Sequence, residues 1–379
     1  MKVPWYVSAV LVAATSAVVG VIWDISWHRT IGRDTFWTPA HLAIYASGII
    51  AGITCGWLVL KTTFAGSDAE RAAAVGFWGF RGPLGAWCCI WGALAMIASA
   101  PFDNWWHNAY GLDVKVLSPP HVILALGFTG IELGAVLLVL ALQNRALAAA
   151  NVEGGGGADR GGGYGLLLAY GFGILILNKA IMGFEQIGFS NAAHNALYYL
   201  VAAAVFPILL VAGARASTLR WPATTAAAVY MGITLILLWV LPLFPATPKL
   251  APVYRPLTHM APPPFPLLLV VPALVVDVLM RRPRGDWSLA VLTGLGFLAA
   301  FFVTQWFATP FLISPGSENF FFGANRWNYN SLPGDFEHQF WGIARDPVTP
   351  LKLGLAAVFA FVSARAGLWL GNGLARVQR

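Results

Sequence analysis

The sequence predicts an all-α, polytopic helical membrane protein. Its 379 residues are 58% hydrophobic and only 10% charged, and its mean hydropathy of +0.69 is too high for a soluble domain of this length. The apolar runs are long and continuous, as helices that cross a bilayer require, whereas a membrane barrel would show short alternating segments. About ten spans are predicted, at residues 4–24, 38–60, 83–102, 119–142, 165–184, 194–213, 222–244, 264–280, 287–308 and 350–371.

Two irregular segments interrupt these spans. Residues 151–165 read NVEGGGGADRGGGYG, a composition typical of a flexible linker. This linker would separate a four-helix membrane half, 1–150, from a six-helix half, 166–379. The second segment, 310–348, is rich in aromatic residues, so we expect it to fold back over the outer helix ends or to lie at the membrane interface.

The distribution of charge predicts the orientation of the chain. The net charge of +7 comes from basic residues that are dispersed among short loops, a pattern that reports membrane topology and does not indicate nucleic-acid binding. These residues are more frequent in the loops that follow the even-numbered spans. The positive-inside rule therefore predicts a multi-pass protein of a bacterial-type inner (cytoplasmic) membrane with both termini cytoplasmic. The three cysteines, Cys55, Cys88 and Cys89, lie within predicted spans and lack zinc-site spacing, so we expect them to pack.

Polar residues recur in two related segments on the predicted outer side. Residues 23–41 read WDISWHRTIGRDTFWTPAH, and residues 102–121 read FDNWWHNAYGLDVKVLSPPH. Each contains an Asp, a His four residues later, a Gly, a second Asp, and then Thr or Ser, Pro and another His. The shared positions are Asp24, His28, Gly32, Asp34, Thr38, Pro39 and His41 in the first copy, and Asp103, His107, Gly111, Asp113, Ser118, Pro119 and His121 in the second. The duplication predicts two helical hairpins of similar construction.

The residue types at these positions suit a metal site. Asp and His at i and i+4 share one helix face, the glycine permits the positive φ that ends a helix, and Thr-Pro or Ser-Pro is typical of the next helix start. The second His would then lie in the first turn of the returning helix, near the first. The sequence predicts one His2Asp centre per hairpin, or one shared centre, with the ligands Asp24, His28 and His41 and Asp103, His107 and His121. Asp34 and Asp113 are placed to accept hydrogen bonds from the histidine rings.

Other interpretations of the same residues stay open. Interfacial tryptophans, helix caps and polar residues at helix ends occur in membrane hairpins without a metal, and the histidines also suit a proton relay or haem ligation. Glu132 follows His121 by eleven residues, so it lies about three turns deeper on the same face. The candidates for a proton relay or for additional ligands are Glu132, Glu185, His194, His259 and His338.

The spacing of the two histidine motifs resembles that in the C subunit of the copper membrane monooxygenases. The similarity covers residues 23–121, and Asp103 stands where the family generally has asparagine. The resemblance implies copper at both triads, oxidation of a small or lipophilic substrate, and partner subunits or a homo-oligomer in the lipid bilayer. Iron and zinc accept the same ligands. The sequence therefore predicts a copper-dependent oxidase or monooxygenase-like protein, with metal uptake or handling as one alternative and haem b electron transfer as another.

Overall fold

The computed structural model describes residues 3–32, 35–110, 118–152, 158–184, 195–249, 257–282, 284–326 and 346–378. Of residues 107, 152 and 158–162 only the backbone is described. The described chain forms the helices α1 (Trp5–Thr30), α2 (Pro39–Ala65), α3 (Asp68–Ala72), α4 (Leu84–Tyr110), α5 (Pro119–Val152), α6 (Ala158–Phe184), α7 (Ala196–Ala216), α8 (Pro222–Val240), α9 (Val270–Met280), α10 (Asp286–Leu312) and α11 (Pro350–Leu374). Its two short strands, β1 (Val75–Phe77) and β2 (Phe80–Gly82), pair as an antiparallel hairpin between α3 and α4.

The prediction of an all-α polytopic membrane protein is confirmed. Within the described residues, nine helices are long and apolar enough to cross a membrane. Large apolar side chains point outward from these helices; Ile53, Leu126 and Phe307 are each at least 66% exposed. Such exposure is stable only in an apolar solvent, so the helices lie in a lipid bilayer.

The predicted eighth span, 264–280, is wrong in its first part. Only Val270–Met280 is helical, and the preceding segment has no regular secondary structure although it is largely buried. Four prolines at 262, 263, 264 and 266 remove backbone donors and prevent a helix here. The neighbouring amides find side-chain acceptors: Ala261 N–H donates to Thr30 Oγ1 (2.8 Å) and Leu267 N–H donates to Tyr230 Oη (2.9 Å). Non-helical backbone is tolerated at membrane depth because it is enclosed by protein and satisfied in this way.

By packing, the chain divides into two compact units. The first contains residues 1–21, 35–175 and 374–379, and the second contains residues 22–34 and 176–373. This division falls within α1 and α6 and so differs from the predicted division at the glycine-rich segment. In that segment α6 already begins at Ala158, while residues 153–157 lie outside the described part of the chain.

The helix pair α4–α5 is the most extensive contact in the first unit. Glycines on both helices let the backbones touch: a Cβ added to Gly92 would lie 2.5 Å from the carbonyl oxygen of Gly127, and one added to Gly85 would lie 2.5 Å from that of Gly134. Cys89 packs between them, with its thiol 3.6 Å from the carbonyl oxygen of Ile131. This packing sets the separation of the two helices along much of their length.

Aromatic rings fill the core of the second unit. Tyr198, Phe206, Phe297 and Phe301 are fully buried, and the rings of Phe297 and Phe301 stack with their centroids 5.6 Å apart. The start of the predicted aromatic segment 310–348 continues α10 to Leu312 and then folds back through residues 313–326. There the carbonyl of Phe321 accepts a hydrogen bond from Trp239 Nε1 (3.0 Å), which ties this segment to the end of α8.

Asp277 holds the start of α8 in the second unit. Its carboxylate accepts hydrogen bonds from Ala223 N (3.1 Å), Thr224 N (2.8 Å) and Thr224 Oγ1 (2.7 Å). These amides belong to the first turn of a helix, where no intrahelical acceptor exists for them. Asp277 therefore caps a neighbouring helix from α9.

Candidate metal centre

The second hairpin brings two predicted ligands together across two helices. Asp103 lies two turns before the end of α4, and His121 is the third residue of α5. Asp103 Oδ1 is 3.4 Å from His121 Nε2, and both side chains are a little under one third exposed. The third predicted ligand, His107, lies in the last turn of α4, and its side chain is outside the described atoms.

The cross-helix approach follows from the glycine contacts between α4 and α5. Gly92 is eleven residues before Asp103, and Gly127 is six residues after His121. Since the backbones touch at that level, the two helices are still close where Asp103 and His121 project. Short side chains can therefore bridge the gap, which a leucine-packed pair about 8–10 Å apart would leave wider.

Aromatic residues surround the end of α4. Phe102 stacks on Trp105 with centroids 5.8 Å apart, and Trp106 packs against Tyr110 at 4.5 Å. Trp105 is 54% exposed, as expected for a tryptophan at the interface between lipid and water. Asp103 and His121 accordingly lie at the ends of two membrane-length helices and not at their centres.

In the first hairpin, the described pair lies along a single helix. Asp24 Oδ2 is 3.7 Å from His28 Nε2, one turn apart at the end of α1. The α1 terminus is held by the buried proline-rich segment: Ser26 Oγ donates to the Ala261 carbonyl and Thr30 Oγ1 accepts from Ala261 N. These two hydroxyls were not among the functional residues predicted from the sequence. Their i, i+4 spacing, which places both on one helix face, was the signal for a shared partner.

The turn of the first hairpin follows the prediction in part. Gly32 has φ +96° and lies two residues after the last residue of α1, and α2 begins at Pro39. Thr38 is the N-cap residue of α2 and Pro39 its first helical residue, as predicted, but the Thr38 hydroxyl makes no capping bond and instead accepts from Thr35 N (2.8 Å). His41 lies in the first turn of α2, as expected, and its ring lies 6.0 Å from that of Tyr45.

The predicted ligands fall into both compact units. Asp103, His121 and His41 belong to the first unit, and Asp24 and His28 to the second. Among the side chains that the structure describes, no group of three or more His, Cys, Asp or Glu residues is arranged to hold a metal ion. What the structure shows is one Asp–His pair in each copy of the motif.

The remaining predicted site residues are accounted for as follows. Glu132 is buried in α5, with 1% of its surface exposed. His259 Nδ1 is 2.9 Å from Thr258 Oγ1, in a short antiparallel contact with Pro245. Five predicted residues lie outside the described part of the chain: Asp34, Asp113, Glu185, His194 and His338.

Comparison of the chain with models of known protein families, with curated protein sequences and with solved structures finds no match.

Proposed function

We propose that the protein is a membrane metalloprotein with one His2Asp centre at each hairpin, most suited to copper, and that it oxidises a small or lipophilic substrate. The observation that carries the proposal is the 3.4 Å separation between Asp103 Oδ1 and His121 Nε2. This is longer than a good hydrogen bond of about 2.7–3.2 Å. Two ligand atoms that each lie about 2.0–2.2 Å from one tetrahedral ion are about 3.3–3.6 Å apart. The pair is thus spaced as two ligands of one ion would be.

The repeated motif supports the same interpretation. Asp24 and His28 are 3.7 Å apart at the end of α1, so both copies place a carboxylate oxygen and an imidazole nitrogen at comparable separation. Carboxylates and histidines are costly in a membrane and usually serve a function there. His41 and His107 are the proposed third ligands, and Asp34 and Asp113 the proposed acceptors for the histidine rings.

Two histidines and one carboxylate leave coordination positions open, and a copper ion there would supply redox chemistry to a bound substrate. The protein's own residues would hold the ion, fix its depth near the membrane surface, and present it on the side that the charge distribution predicts to be periplasmic. Glu132, buried three turns below His121, is the proposed proton carrier to or from this side. The proposed setting is an inner membrane with both termini cytoplasmic.

The proposal is tested by electron paramagnetic resonance of the purified full-length protein loaded with Cu²⁺. We expect nitrogen hyperfine structure from imidazole ligands, and a change of that structure in the variants His28→Ala and His107→Ala. His259→Ala is the matched control, because His259 is held by Thr258 and belongs to neither motif. An unchanged spectrum in both motif variants would contradict the proposal.

Two further measurements separate the competing functions. Consumption of oxygen that depends on an added hydrocarbon or ammonia supports an oxidase, whereas copper accumulation in proteoliposomes without oxygen consumption supports metal transport. A Soret band in the absorbance spectrum of the purified protein would contradict both of these functions and would indicate a haem protein.

A further inference from the structure

The β1–β2 hairpin lies in the connection between two membrane-length helices, α2 and α4. Phe77 pairs with Phe80, so the turn between the strands has only two residues, Trp78 and Gly79. Both have positive φ, +49° and +81°, as a type I′ turn requires.

Tryptophan is an unusual residue for the first position of this turn. Asparagine followed by glycine is the common choice, because a positive φ is costly for a residue with a large side chain. Trp78 adopts it nevertheless, and 82% of its surface is exposed, so little of the side chain is buried within the protein in return. A residue held in a sparsely populated conformation is a signal of function.

The hairpin packs beside the first turns of α4. The ring of Phe77 lies 5.5 Å from those of both Trp87 and Trp91, and the ring of Trp78 lies 6.5 Å from that of Trp91. Trp91 is seven residues after the first residue of α4, about 10 Å along the helix. Trp87 Nε1 also donates to the carbonyl of Val75 (3.0 Å), which fixes β1 against α4.

The tip continues a surface that already faces lipid. On α4, Trp91 is exposed together with the apolar residues Leu94 and Ile97. On α2, the exposed ring of Phe64 lies 6.2 Å from that of Phe80. Since the outward apolar side chains of these helices lie in the bilayer, the aromatic tip that adjoins them is placed at the edge of the same bilayer.

We infer that the β1–β2 hairpin is a membrane-interface anchor, and that its partner is the boundary between lipid headgroups and acyl chains. The leaflet is the one at which α2 ends and α4 begins. Tryptophan suits this boundary because its ring is apolar and its N–H is polar. The anchor would fix the depth of α2 and α4 in the membrane. It does not depend on the proposed metal function, because neither histidine motif contains a residue between 64 and 91.

The depth of the tip is tested by spin labelling of the full-length protein in phospholipid nanodiscs. The label is attached to Trp78→Cys in a chain that carries Cys88→Ala, because the other two cysteines, Cys55 and Cys89, are fully buried. We expect the label to collide more often with oxygen, which concentrates in lipid, than with a water-soluble nickel chelate.

Two further positions calibrate this measurement. A label at Ile53→Cys, on the lipid-facing side of α2, should show the same preference for oxygen. A label at Ala69→Cys, exposed in the charged helix α3, should show the reverse. More frequent collision of the Trp78→Cys label with the nickel chelate would place the tip in water and contradict the inference. Protection from both reagents would indicate a contact with a second copy or with another protein, and would also overturn it.

The variant Trp78→Asn separates anchoring from formation of the hairpin. Asn-Gly suits the type I′ turn, so a hairpin in water should exchange its backbone hydrogens more slowly in this variant. An anchored hairpin should instead exchange at least about tenfold faster in peptides from 76–80, because the variant loses the apolar contact of the ring with lipid. Trp369→Asn, which removes a similarly exposed tryptophan from α11, is the matched control and should leave these peptides unchanged. Equal or slower exchange in Trp78→Asn than in the wild type would contradict the inference.

Discussion

The two hairpins carry the same residue types in the same order, yet the described carboxylates approach different histidines. Asp24 lies near His28 on its own helix, at 3.7 Å, whereas Asp103 lies near His121 on the neighbouring helix, at 3.4 Å. Residue spacing along a helix is sufficient for the first contact. The second depends on glycines that bring two backbones together. The same residue spacing therefore leads to different contacts, because the helices of the two hairpins pack differently.

The largest expected effect comes from separating α4 and α5. A Cβ at Gly92 would lie 2.5 Å from the carbonyl oxygen of Gly127, so Gly92→Ala should lower the free energy of unfolding by about 1–3 kcal/mol. It should also weaken metal binding at Asp103 and His121 more than at Asp24 and His28. Thermal unfolding in detergent and copper titration measure the two effects.

Gly56→Ala is the matched control for this change. No atom outside its own helix lies within 4 Å of a Cβ at Gly56, so the variant should keep or slightly raise stability through better helix propensity. If Gly92→Ala unfolds at the same temperature as Gly56→Ala, the close packing of α4 and α5 does not determine the cross-helix geometry.

A second substitution disturbs the unit that holds Asp24 and His28. Asp277→Ala removes three hydrogen bonds to the first turn of α8, and we expect a loss of about 2 kcal/mol in the free energy of unfolding. Asp277→Asn keeps one carbonyl oxygen as acceptor and should lose less. Hydrogen exchange measured by mass spectrometry should show faster exchange in peptides of α8 and α9. If these peptides were equally protected in Asp277→Ala and Asp277→Asn, the capping role of Asp277 would be refuted.

The smallest expected effect is in α3, the short helix between α2 and β1. The backbone N–H and hydroxyl of Ser67 donate to the Glu70 carboxylate and hold the pKa of that carboxyl below its usual value. A lowered pKa means that the contact stabilises α3 above the ordinary glutamate pKa and is lost as the pH falls through the lowered one. Proteolysis between Gly66 and Ala74 should therefore rise in acid in the wild type and be independent of this titration in Glu70→Gln. Metal binding should be equal in both, because Glu70 belongs to neither motif.

Much of the fold could be predicted from the sequence, because apolar runs and helix signals are local. In the first hairpin, Gly32 has the predicted positive φ after α1, and α2 begins at the predicted Pro39. Nine of the expected spans are helices within the described residues. The prediction of the eighth span was wrong in its first part because hydropathy does not distinguish a buried irregular segment from a helix. Its four prolines were the signal that should have outweighed hydropathy.

The candidate centre could be predicted only in part. The spacing of Asp24 and His28 predicts their contact from helix geometry alone. The partner of Asp103 is decided by the contact of Gly92 with Gly127, which no local pattern reveals. The role of Ser26 and Thr30 likewise depends on Ala261, more than 200 residues later in the chain.

The most direct test of two equivalent centres is the copper content of the purified protein by mass spectrometry. We compare the wild type with Asp24→Ala/His28→Ala, with Asp103→Ala/His121→Ala, and with the fourfold variant, each checked for folding by circular dichroism. The account predicts that each double variant loses about half of the bound copper and that the fourfold variant loses nearly all of it. The same copper content in all four proteins would contradict it.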